Sequence, residues 1–291
     1  MEFRLGLRLV WEESFSLLFA NIKSGFRLLW PILALVIVTQ MFFPTDISLT
    51  ELNSMSSSAR TIILFLFPFG TIVGFVVIPS FLIGWHRLIL LDEQPGWFSY
   101  RLGARQWRYI LACFLFWLIS LLLIIPAGLF LVFITSLGAQ GGLILAPIFA
   151  LIGLAIAYFA TAPNLARFAL ALPAVALDRP IAFKAARRMG AGLGLPMAVA
   201  FLGLFLVGLL ISMFLGLVAF VLSLIATLMG PITFVVPVIK LIAALPMVVT
   251  NVYFPLAEAT LITVGYRIAL KQSETNEAQP ASDETGAPVP A

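Results

Sequence analysis

The 291 residues are 62% hydrophobic and only 10% charged, with 17 Lys and Arg against 13 Asp and Glu. So few polar groups cannot cover a water-soluble globule, which excludes a soluble enzyme or carrier. Nor does the basic excess point to nucleic acid, because the cations flank apolar runs, where anionic lipid headgroups attract them.

At the start of the chain, Trp11, Phe15, Leu18, Phe19 and Ile22 recur at the spacing of one helix face, with Glu12, Glu13, Ser16 and Lys23 opposite. This predicts an amphipathic interfacial helix over 10–24. Glu12 and Glu13 interrupt the approach to the first apolar run, and no small-residue cleavage site follows Phe43. That run therefore reads as an anchor rather than a cleaved signal peptide.

A bilayer core about 30 Å thick takes about 20 apolar residues in a helix. The apolar runs predict an all-α integral membrane protein with six spans, at about Leu28 to Phe43, Thr61 to Gly84, Tyr109 to Ile134, Leu143 to Ala162, Leu195 to Leu222 and Met247 to Tyr266. All Lys and Arg except Arg60 and Lys240 fall before span one, between two and three, between four and five, or after six. The positive-inside bias makes those segments cytoplasmic and puts both termini inside.

The connections on that side share a pattern. After span two, Arg101, Arg105 and Arg108 share a helix face among Trp97, Phe98, Tyr100, Trp107 and Tyr109, rings that favour the headgroup level. After span four, Pro180 opens a short helix with Lys184, Arg187 and Arg188 opposite Ala182, Ala186 and Met189. Each stretch runs from acid (Glu12 and Glu13, Asp92 and Glu93, Asp178) through a Phe to base, and Pro95 to Phe98 repeats as Pro180 to Phe183. Acid first and base last suits the helix dipole. Such an order fits either an internal duplication or convergence.

Several residues interrupt the apolar slab. Glu258 lies near the middle of span six, where a carboxylate costs several kcal/mol unless paired or protonated. It is expected to face the bundle interior, with Asn164, Arg167 or Asn251 as candidate partners. Pro231, Pro237 and Pro246 argue against a seventh span over 229–246, so that stretch reads as a re-entrant or outer-surface segment with Lys240 snorkelling outward. Pro126, Pro163 and Pro255 read as kinks, and Gly70 with Gly74 as a small-xxx-small face. Cys113, the lone cysteine, sits within span three and excludes an intramolecular disulfide. From Gln272 to Ala291 there are four acids and no base, a composition expected to form a disordered cytoplasmic tail.

The run Gly84, Trp85, His86, Arg87 to Asp92, the stretch Arg167 to Asp178 with its Leu-Ala-Leu-Pro core, Phe183 to Arg188, and the closing Tyr266 and Arg267 resemble a family of bacterial multi-span membrane proteins. That family is related to the membrane domain of some glycerophosphodiester phosphodiesterases. The resemblance covers most of Trp11 to Lys271, and its motifs mark topology more than chemistry. The soluble domain that hydrolyses the phosphodiester in those enzymes has no counterpart in these residues. The resemblance thus implies a fold and an inner-membrane location, not that activity.

No phosphate-cradling Gly-rich loop ending in Lys and Ser or Thr, no His-Glu-x-x-His, no Cys-x-x-Cys and no Gly-x-Ser-x-Gly occurs. With one His and one Cys, a zinc or copper site lacks its usual ligands. Trp85, His86 and Arg87 read as interfacial residues that meet headgroups. These observations lead to a non-catalytic protein without cofactor, whose basic collar (Arg101, Arg105, Arg108, Lys184, Arg187, Arg188) contacts anionic lipids and presents a docking surface to another membrane protein. The alternative is a transporter or channel for a small solute or lipid, with Glu258 as its coupling residue.

Overall fold

The computed structural model describes residues 3–42, 56, 77–96, 103–140, 145–229 and 253–278. All regular structure among them is helical: α1 Phe3–Ala20, α2 Ile22–Phe42, α3 Val77–Leu91, α4 Ala104–Gln140, α5 Leu145–Ala169, α6 Ala171–Ala176, α7 Phe183–Met189, α8 Gly194–Met229 and α9 Phe254–Ala278. Three stretches, Ala104–Gly138, Leu145–Ala176 and Gly194–Leu222, are long and apolar enough to cross a bilayer, which marks the chain as a membrane protein. They contain the expected spans three and five and, from Leu145 on, span four. Span one up to Phe42 is part of α2, whereas most of span two, the start of span six, and the 229–246 segment with Lys240 lie outside the described residues or at their edge.

The long helices overrun the expected spans. α4 has 37 residues, about 55 Å at 1.5 Å per residue, so it exceeds the hydrocarbon thickness. Its start carries Arg105, Arg108 and Trp107, helix-compatible residues that hydropathy alone leaves out of the span. Gln106 caps it by accepting the N–H of Gly103 at 3.1 Å. Along the apolar runs Ser120, Thr135 and Thr161 each donate to the carbonyl four residues back, at 2.8–2.9 Å. In lipid no water is available to accept those protons.

The core sits at one end of these helices. Val10, Leu170, Leu193, Met197 and Val264 form one buried cluster, Leu18, Leu28, Trp85, Leu204 and Leu256 a second, and Ile83, Tyr109, Ala112 and Leu172 a third. By contrast, α4 beyond Cys113 and α8 beyond Gly208 expose large side chains such as Leu122, Leu129, Leu210 and Phe214. A physical reason is available. Lipid gives apolar side chains little drive to leave it, whereas in water each buried Leu is worth about 1.5–3 kcal/mol. The packed cluster gathers the short helices and the helix ends that carry the basic residues.

α1 packs against α8 and α9 through Gly6, Val10, Ser14 and Leu18, four apart. The expected face is therefore rotated by about one residue: Trp11 and Phe15 flank the contact and Phe19 is exposed. Gly6 and Ser14 are the small residues buried on this face, and the Trp11 ring covers Gly203. At another crossing, a Cβ on Gly208 would fall 1.3 Å from Cζ of Phe254, so only glycine fits beneath that ring. At the far end of the chain, α9 takes in Gln272 to Ala278 of the stretch expected to be unstructured.

Candidate functional site

The second half of α3 carries Trp85, His86 and Arg87, and α9 faces it with Thr260 and Thr263, three apart and so on one helix face. Trp85 Nε1 donates to Thr260 Oγ1 at 2.9 Å. His86 lies between Thr263 Oγ1, 2.7 Å from Nδ1, and Tyr109 OH, 2.9 Å from Nε2. Both threonines already give their single proton to the α9 backbone, Thr260 to Leu256 O and Thr263 to Ala259 O. Thr263 can therefore only accept from His86. Donor counting assigns the proton to Nδ1, and Tyr109 then donates to Nε2. Every polar atom of this seam is satisfied, and it joins α3, α4 and α9.

At the next residue the seam gives way to charge. Arg87 bonds Glu93 twice, at 2.5 and 2.6 Å, donates to Ala176 O at 3.1 Å, and has Asp178 at 3.6 Å. Arg105 meets Asp178 with two further bonds. The hydrogen bond from Arg105, with the nearby Arg87 and Arg108 charges, holds the Asp178 carboxyl below its usual range. Arg87 does the same for Glu93. Asp92 and Asp178 both have positive φ, 55° and 63°, where they end α3 and α6. Asp tolerates that left-handed conformation better than most residues, so each acid turns the chain as well as pairing. Separately, Arg267 of α9 pairs with Glu13 of α1.

The sequence-derived residues are distributed as follows. Arg108, Lys184, Arg187 and Arg188 are exposed, with the Arg187 guanidinium 5.8 Å from the centre of the Phe168 ring. Arg105 is engaged by Asp178 rather than free. Trp85 and His86, expected at the headgroups, are instead 0% and 1% exposed, because α9 supplies the hydroxyls that headgroups would have offered. Asn164 Nδ2 bonds Ala160 O of its own helix, and Arg167 lies against Gly190 and Gly194. Glu258 is not turned inward: it is exposed between buried Ala257 and Ala259, and no described residue bonds it. Arg101 and Asn251 lie outside the described residues. Tyr109, expected among the rings at the headgroup level, is instead 0% exposed, and Thr260, Thr263 and the pairing role of Asp178 were not singled out by sequence. A Thr-x-x-Thr pair within an apolar run was the available signal.

Among the described residues no group of three His, Cys, Asp or Glu side chains is placed to hold a metal. The cavity bounded by Ser14, Phe15, Leu18, Leu204, Ala257 and Leu261 has a volume of about 10 Å³, room for one water. The seam is closed and fully bonded, so it orders three helices. The exposed cations Arg108, Lys184, Arg187 and Arg188 lie outside this seam. No family model matches the chain, and no curated protein or solved structure is similar to it.

Proposed function

We propose that the protein is a non-catalytic component of a bacterial inner membrane, crossing it six times with both termini cytoplasmic. In this reading its basic rim binds anionic lipid headgroups and offers a docking surface to another membrane protein. The observation that carries it is the sorting of cations. Arg87, Arg105 and Arg267 are used up in carboxylate pairs, whereas Arg108, Lys184, Arg187 and Arg188 are exposed and bond no carboxylate among the described residues. Trp107, 62% exposed beside Arg108, adds a ring suited to the headgroup level. The core beneath them is packed, which fits a fixed platform better than a moving gate.

The transport alternative draws its support from Glu258, a carboxylate in an apolar stretch, yet that residue is exposed and does not line the water-sized cavity. The lipid reading is tested by replacing Arg108, Lys184, Arg187 and Arg188 with Gln and measuring retention of phosphatidylglycerol against phosphatidylcholine by the purified protein. Selective loss of the anionic lipid is expected, and unchanged selectivity would overturn the reading.

A further inference from the structure

The half-buried arginines of this fold are not treated alike. Arg87 has Glu93, and Arg267, whose Nε is likewise buried without a hydrogen bond, has Glu13 to balance its charge. Arg167, at the end of α5, has no carboxylate among the described residues, and its Nε is shut off from solvent without a hydrogen-bond partner. A shielded guanidinium N–H left unbonded is costly, the more so because it carries charge. Asp178 does not relieve it, since the arginines acting on that carboxylate are Arg105, Arg87 and Arg108.

The surroundings of Arg167 are built to keep it there. Its side chain runs between two glycines of the turn that joins α7 to α8. A Cβ on Gly190 would stand 3.3 Å from Arg167 Cγ, and one on Gly194 would stand 2.4 Å from Nε and 2.6 Å from Pro163 O. Gly192 between them has φ +85°, and it and Ala191 are exposed. Neighbouring cations come from α7, where Arg187 lies over Phe168, the residue after Arg167, and Arg188 follows. Here a glycine turn admits an arginine, Arg187 lies over the ring of the next residue, and neither pairs with a described acid.

We infer that Arg167, Arg187 and the Gly190–Gly194 turn form a specific phosphate-binding site at the inner end of α5, filled in the cell by the phosphate of an anionic phospholipid. The guanidinium fork suits phosphate, which it engages through two parallel N–H bonds. The site deepens the lipid reading of the rim and rests only on its premise that anionic lipid lies at this face: the exposed cations hold a diffuse lipid shell, and this site holds one molecule with definite stoichiometry.

Native mass spectrometry of the full chain, purified in mild detergent and titrated with phosphatidylglycerol, separates the two. The unaltered protein is expected to keep one tightly held lipid beneath a series of weaker adducts. Arg167→Gln should lose the tight lipid by about tenfold, the fork's share of roughly 1.4 kcal/mol, and leave the weak series intact. Arg167→Lys, which keeps the charge and loses the fork, should fall between. A double exchange, Arg108→Gln with Lys184→Gln, should thin the weak series and spare the tight lipid. If Arg167→Gln keeps the tight lipid, the site is wrong while the rim reading stands. If the double exchange leaves the weak series unchanged, the rim reading fails and the site stands. Should Arg167→Gln not fold, Arg187→Gln on the surface carries the same expectation, and full retention there would overturn the site. In a second arm, delipidated protein is heated with inorganic phosphate or with chloride at equal ionic strength. A rise in melting temperature with phosphate alone, where no lipid is retained, assigns the site to a soluble phosphate. No tight lipid and no phosphate effect would refute it.

Discussion

Arg105 and Asp178 meet through two parallel bonds, Nε to Oδ1 at 2.9 Å and Nη2 to Oδ2 at 2.5 Å, and so tie the first turn of α4 to the turn after α6. Both side chains are more than a third exposed, so the pair is worth about 1 kcal/mol or less. Asp178 also occupies a left-handed backbone position, which Asn tolerates and Ala does not. Asp178→Asn should therefore lower stability by about 1 kcal/mol. Asp178→Ala should lose roughly 1 kcal/mol more. Thermal unfolding in detergent checks the order, and equal losses would remove the backbone role.

The same cluster sets a pH dependence. Asp178 and Glu93 have carboxyls held below their usual range by bonds from Arg105 and Arg87. Their pairs are stabilising above the unfolded carboxylate range and lose that effect as pH falls through the lowered folded values. Melting temperature should hold from neutral pH to about 5 and decline below about 4. The decline should be shallower in Asp178→Asn combined with Glu93→Gln. An identical acid limb in that variant would place the sensitive groups elsewhere.

The buried seam predicts strong coupling. Thr263→Val removes the acceptor of the His86 Nδ1 proton, and Tyr109→Phe removes the donor to Nε2. Each should cost about 1–2 kcal/mol, the cost of a buried group left unbonded. Because both act through one ring, His86→Phe should make the second loss largely disappear in a double-mutant cycle. Additive losses would mean that the ring does not link them.

Beneath Phe254, Gly208→Ala should destabilise by about 1–3 kcal/mol through overpacking, because its methyl would coincide with the ring edge. Phe254→Ala in the same chain should recover a good part of that loss. No recovery would mean that the α8–α9 crossing is not set by this contact.

The sequence carried the long helices plainly, because charge is missing over Tyr109 to Ile134 and Leu195 to Leu222 and nothing local competes. The ends were harder to read. Hydropathy stops at Tyr109, but the helix begins at Ala104, since Arg and Gln are good helix formers that merely leave the apolar slab. The placement of Trp85 and His86 was hidden for another reason: Thr260 and Thr263 lie 175 and 177 positions away, so no local pattern announces that the ring and indole are buried. Arg105 and Arg108 were alike by spacing, and only the return of the chain at Asp178 separates a paired arginine from a free one.

The sidedness of the chain is the claim on which the rim depends. Single cysteines at Ser16 and Ser273, introduced with Cys113→Ser, can be exposed to a membrane-impermeant maleimide in intact cells and in inverted membrane vesicles. Both positions are expected to react only in the inverted vesicles. Reaction of either one in intact cells would place that end outside and contradict a cytoplasmic basic face.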